Sequence, residues 1–201
     1  MSGDPRSSFC VVDRACAGAR DLGILARMPL VYVTGISGAG KSTVCAELRR
    51  LGHDAHDTDQ DGNAVWVNRL TGEVTLIASA RERGQSGWLD EQEWRLVPTK
   101  VETLARRARD RVVFLCGSAA NEHEVWHLFS RVVYLAVDEA TLVDRLASRM
   151  SNDFGKSETE LAAILGWHAY GDAEFARLGA TIIDATRVLD EVVDDVLRAA
   201  V

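Results

Sequence analysis

Five short runs of apolar and β-branched residues punctuate the chain, at 30–34, 52–57, 112–116, 132–137 and 180–184, the second being the weakest. Between them lie longer stretches with helical periodicity, at 41–51, 91–109, 121–129, 139–150, 158–178 and 189–200. A strand that is apolar along its whole length, and not on alternate positions only, is covered on both faces. Repeated alternation of such strands with helices is the pattern of a doubly wound parallel sheet. The expected fold is therefore α/β, with five parallel strands and helices on both faces.

Two segments depart from this rhythm. Residues 1–28 hold no sustained period and read as a mobile extension before a domain spanning 29–201, with Met28 an alternative start. Between the second and third strands, residues 60–89 form an excursion. In it the runs 64–68 and 73–77 flank residues 69–72 as the arms of a hairpin, the expected acceptor-facing insertion. No internal repeat or low-complexity segment interrupts the domain.

Composition narrows the function. The net charge of −7, from 23 basic and 30 acidic side chains, argues against nucleic-acid or anionic-membrane binding driven by global attraction. No apolar run approaches the roughly 20 residues of a membrane-spanning helix, and residues 1–28 lack a signal-peptide core, so a cytoplasmic protein is expected. Cys10, Cys16, Cys45 and Cys116 show neither a CxxC pair nor zinc-ligand spacing and read as reduced thiols.

The chemistry begins at Gly35-Ile36-Ser37-Gly38-Ala39-Gly40-Lys41-Ser42-Thr43, which fits G-x-x-x-x-G-K-[ST] between an expected strand and an expected helix. Small residues let such a loop wrap phosphate oxygens with successive backbone N–H groups and a helix N-terminus. Lys41 supplies positive charge to the β- and γ-phosphates, and the Ser42 hydroxyl is placed to ligate a bridging Mg2+. Gly35, Ser37, Gly38, Ala39, Gly40, Lys41, Ser42 and Thr43 are thus the nucleotide-binding candidates.

The second strand ends in His56-Asp57-Thr58-Asp59-Gln60, bringing two carboxylates to the edge of the sheet where the phosphate loop also emerges. Asp57 is the candidate to accept a proton from an acceptor hydroxyl or to hold a magnesium-bound water, and Asp59 to bind the acceptor itself. A solvated turn with a helix cap is the competing reading. Trp66, Glu73 and Asn121 complete the acceptor-binding candidates. Arg145 and Arg149, one helical turn apart before a flexible stretch, form with it a lid at about 149–158, where they would neutralise transferred phosphoryl charge; solvated surface arginines are the alternative. Arg187, after the last strand, is a candidate contact for the base of the nucleotide.

With these residues in view, the chain resembles the small P-loop kinases of the adenylate, shikimate and gluconate kinase group, within the P-loop NTPase superfamily. The resemblance rests on Gly35 to Thr43, on Asp57-Thr58-Asp59-Gln60, on the arginine-bearing lid and on Asp184-Ala185-Thr186-Arg187. It implies a five-stranded parallel sheet, a mobile lid, an acceptor-binding insertion after the second strand and ATP as phosphoryl donor. Two departures stand out. The third strand ends Leu115-Cys116-Gly117-Ser118, with neither a terminal aspartate nor a triple glycine, and the excursion lacks a nucleoside-monophosphate pattern. His123-Glu124-Val125-Trp126-His127 matches HExxH, but a surface histidine pair on a crossover helix explains it better than zinc.

The expected activity is ATP- and magnesium-dependent phosphorylation of a hydroxyl on a small molecule, by a monomer or homodimer. The acids around the excursion (Asp57, Asp59, Asp61, Glu73, Asp90, Glu91 and Glu93) point to a cationic polyhydroxylated acceptor such as an aminocyclitol or aminoglycoside. A nucleoside or nucleotide kinase is the alternative within enzymes, and a nucleotide-binding regulatory module the alternative outside them.

Overall fold

The structure, a computed structural model, describes residues 29–75, 87–150 and 152–201. The extension 1–28 and the distal part of the second hairpin arm lie outside these residues. Strands β1 (Leu30–Thr34), β2 (Asp54–Asp57), β6 (Val113–Cys116), β7 (Arg131–Ala136) and β8 (Thr181–Asp184) form one sheet in the order β2-β6-β1-β7-β8, with every pairing parallel. Helices α1 (Lys41–Arg50), α3 (Pro98–Arg107), α4 (Glu122–Val125), α5 (Glu139–Ser148), α6 (Glu158–Arg177) and α7 (Leu189–Ala199) connect and cover the strands.

The continuous apolar character of β1 has a direct cause. Its residues alternate between two cores, Val31 and Val33 facing one and Leu30 and Tyr32 the other, all at most 1% exposed. Val44, Cys45 and Leu48 of α1, Leu142 and Leu146 of α5, and Val192, Val193 and Val196 of α7 fill the first core. Val101 and Leu104 of α3 and Val125 of α4 fill the second.

The excursion is a second sheet, not a lone hairpin. Strand β3 (Ala64–Asn68) lies between β4 (Val74–Thr75) and β5 (Gln92–Leu96), antiparallel to both. A four-residue helix, α2 (Trp88–Glu91), leads into β5. This corrects the helix expected over 91–109 and moves the end of the insertion past residue 89. Gln92–Leu96 pairs along its length with β3, Trp94 opposite Trp66, so cross-strand packing outweighs the helical reading. The helix begins only at Pro98, whose fixed φ suits the first helical position and holds Val97 extended at φ −86°, ψ 105°.

Register decides where the loops gather. Asp57 pairs with Cys116, which pairs with Val33, while Thr34 pairs with Tyr134 and Ala136 with Asp184. Five parallel strands therefore end at one edge, and the segments following them converge there. Among the described residues no helix is long and apolar enough to cross a membrane.

Candidate active site

At the end of β1 the chain turns through Gly35 to Gly40, closed by a bond from the Ala39 N–H to the Ile36 carbonyl (3.0 Å). Helix α1 opens on Gly40 in the left-handed region (φ 103°, ψ 12°) and has no side-chain cap. Its leading N–H groups lack the partner that a Ser or Asp cap supplies, and they face the loop as anion donors. Gly38 adopts φ 96°, and a Cβ there would stand 2.8 Å from Leu142 Cδ1, so only glycine fits between loop and α5. Lys41 spans the loop, its Nζ donating to the carbonyls of Gly35 and Ile36 at 2.8 Å each. Burial lowers its pKa to about 8, with Asp59 pulling upward and Arg149 pushing further down.

The loop forms the floor of a cavity of about 1060 Å3. Asp59 and Glu122 line it beside Ser42 and Lys41, with Trp66 on the insertion side and Arg149 above. The Asp-Thr-Asp pair divides its labour. Asp57 is 2% exposed and does not line the cavity; its Oδ1 accepts the N–H groups of Asp59 (2.8 Å) and Gln60 (3.0 Å), and its Oδ2 is buried without a partner. Asp57 thus shapes the turn that carries Asp59 into the cleft.

The two lid arginines also differ. Arg145 donates to the backbone carbonyls of Ala39 (3.2 Å) and Ala185 (2.8 Å), tying the phosphate loop to the segment after β8. Arg149 donates to Ser37 Oγ (3.2 Å) and to the Phe154 carbonyl, while its Nε is buried and unpartnered. The segment before α6 is tied to that helix: Glu160, buried on its first turn, accepts the Gly155 N–H at 2.9 Å, and Ser157 caps the helix by accepting from Glu160 N–H. Arg187 lines the cavity but is ion-paired to Asp195 and Glu191 of α7.

On the acceptor side, Trp66 is surrounded by Trp88 (ring centroids 4.6 Å), Trp94 (5.3 Å) and Phe154 of the lid (6.3 Å). Two acceptor-binding expectations are corrected here. Asn121 is 1% exposed and faces the fold: its Oδ1 accepts Leu96 N–H (2.7 Å), and its Nδ2 donates to Leu96 O (3.1 Å) and Glu124 (3.0 Å). Glu73 is exposed in the hairpin turn and does not line the cavity. The acids invoked for a cationic acceptor are partly neutralised, Asp61 by Arg49 (2.5 Å) and Glu93 by Arg69 (3.4 Å) and Arg95.

Sequence reasoning missed Glu122. It sits in no motif, and its place in the cavity wall emerges only when α4 folds back over β1. There burial raises its pKa, while hydrogen bonds from Tyr32, Ala119 and Thr34 and the charge of Lys41 oppose the shift. The HExxH segment is interrupted, α4 passing into a 3-10 turn at Trp126–Leu128, and no cluster of three metal-ligating His, Cys, Asp or Glu side chains exists among the described residues. A nucleotide-bound magnesium needs no such cage, because phosphates and waters fill most of its shell. The Ser42 hydroxyl, which lines the cavity, fits that requirement, whereas Asp57, with its Oδ2 buried and outside the lining, does not, which corrects its expected place at the metal.

Comparison with known proteins agrees with this geometry. The chain matches the model of the AAA domain family over residues 31–166, well over half its length, and belongs to that family. Its five-stranded parallel sheet is the fold of small P-loop kinases. Shikimate kinase from Acinetobacter baumannii, in complex with shikimate, superposes with a TM-score of 0.54 at 18% identity, covering 85% of this chain and 92% of that one. The enzyme from Bacteroides thetaiotaomicron gives 0.51 at 19% identity, with 85% and 97% covered. Deoxyadenosine kinase from M. mycoides, with bound dATP, gives 0.50 at 13% identity, again over 85% and 97%. No curated protein matches the sequence.

Proposed function

We propose that this chain is an ATP- and magnesium-dependent phosphotransferase acting on a hydroxyl of a small molecule. One observation carries the reading: the uncapped phosphate loop, Lys41, Arg149 and Asp59 all face a single cavity closed on one side by the lid. The residues have distinct tasks. The loop N–H groups and Lys41 bind the phosphates. A magnesium ion bound with the nucleotide would supply neutralisation of phosphate charge. Ser42 would hold it, while Asp57 fixes the turn that presents Asp59. Arg149 meets the charge spread over the transferred phosphoryl group and, with Phe154, excludes water. Asp59, held against Thr58 Oγ1 at 2.9 Å, receives and orients the acceptor hydroxyl. Arg145 walls the base end of the nucleotide, together with Arg187.

The acceptor is a polyhydroxylated small molecule, and an amino sugar or aminocyclitol remains favoured by Asp59. A second reading has its own support. The ring-lined wall of Trp66, Trp94 and Phe154 suits a flat acceptor, so a nucleoside is the competing class. ADP release with ATP, Mg2+ and a panel of aminoglycosides, aminocyclitols and nucleosides separates them. Turnover with one class and loss of that turnover in Asp59→Asn support the kinase reading. Tight ATP binding with no transfer to any panel member favours a regulatory nucleotide-binding module instead.

A further inference from the structure

The third parallel strand delivers no acid to the phosphate site, since β6 leaves the sheet through Cys116, Gly117 and Ser118. The next carboxylate along the chain, Glu122, returns to the cleft from the first turn of α4. Its Oε1 accepts three hydrogen bonds, from Tyr32 OH (2.7 Å), Ala119 N–H (3.1 Å) and Thr34 Oγ1 (3.3 Å). Among the described residues Oε2 carries none, and the residue lines the cavity with Ser42, Lys41 and Asp59.

This asymmetry is informative. Three donors on one oxygen fix the side chain in a single orientation and leave the second oxygen uncommitted. A carboxylate kept only for folding is normally satisfied at both oxygens or paired with arginine, as Glu93 is with Arg95. Tyr32 adds to the point. It is fully buried in β1, where phenylalanine would fill the same space, and its hydroxyl is spent on Glu122. Thr34, the last residue of β1, directs a second hydroxyl to the same atom one residue before the phosphate loop begins. The positive charge of Lys41 reaches Glu122.

We propose that Glu122 is the magnesium-positioning carboxylate of this site, presented by α4 in place of the absent strand-terminal aspartate and aimed by Tyr32 and Thr34. The inference rests on the nucleotide-binding reading above. It separates Glu122, whose Oε2 would face the metal's shell, from Tyr32, a positioning residue that acts through Glu122.

The test measures ADP affinity by calorimetry, with Mg2+ and with the metal chelated, on the full chain. The wild type binds Mg-ADP more tightly than metal-free ADP by about tenfold or more, and Glu122→Gln reduces this ratio to about two while leaving metal-free affinity unchanged. Tyr32→Phe gives an intermediate ratio, and Glu122→Asp, with Tyr32→Phe, carries the test if Glu122→Gln does not fold. A Glu122→Gln protein that keeps the wild-type ratio overturns the proposal, as does an equal loss with and without metal, which marks a purely structural role. A wild-type chain that binds ADP in neither condition refutes the nucleotide reading itself, an outcome distinct from either.

Discussion

Lys41 makes the phosphate site a proton-linked one. In the free protein its pKa is lowered to about 8 by burial, so at pH 8 about half of the population carries a neutral amine. A bound diphosphate places negative charge against Nζ and favours the ammonium. Binding therefore takes up a proton, about 0.5 per ADP at pH 8 and about 0.9 at pH 9. Because only the charged form binds well, the dissociation constant scales as one plus ten to the power of pH minus pKa, and weakens about tenfold between pH 7 and pH 9. The phosphate confuses the measurement little, since its last ionisation lies near pH 6, about one unit below the window and two below the lysine's midpoint. The sign for stability is consistent. A lysine whose folded pKa is depressed binds fewer protons folded than unfolded between about pH 8 and its ordinary value of 10.5, so this group's contribution to the free protein's stability grows as pH rises through that window. Calorimetry of ADP binding in buffers of different ionisation enthalpy, at pH 7, 8 and 9, reads the uptake directly. Affinity that stays flat over this range, with no buffer-dependent heat, would falsify the argument. Lys41→Met should bind ADP weakly at every pH and abolish the linkage.

Three further outcomes are expected. Arg149→Ala lowers kcat by about 10²–10³-fold while ADP affinity changes by less than about threefold, because the guanidinium on Ser37 serves charge that develops during transfer; steady-state kinetics with the acceptor found by the panel measures it. Gly171→Ala destabilises the fold by about 1–3 kcal/mol, since its Cβ would meet the Tyr134 hydroxyl at 2.2 Å, and adding Tyr134→Phe recovers part of the loss in urea melts. Asn121→Ala costs about 2–3 kcal/mol by stranding both backbone groups of Leu96, yet leaves the acceptor KM unchanged in the molecules that remain folded.

Much of this protein was legible from one dimension. The three central strands, the phosphate loop and the helix it opens are local features: continuous apolar runs, glycines at tight turns, and a Lys-Ser pair at a fixed offset all act within a few residues of chain. The parallel sheet followed because such strands must be covered on both faces. Gln92–Leu96 shows where local reading stops. Its periodicity suited a helix, and only pairing with β3, a partner more than twenty positions away, made it a strand. The same limit governed the site. Arg145 and Arg149 share a helix face, but backbone carbonyls contributed by distant loops hold the first, while the second rests on the phosphate loop. Asn121 was drawn into the interior by Leu96, and Glu122 acquired its three donors from β1 and the loop before α4. A side chain's type sets what it can bond, whereas the packing of separate elements determines which partners arrive and which face is left open to a ligand.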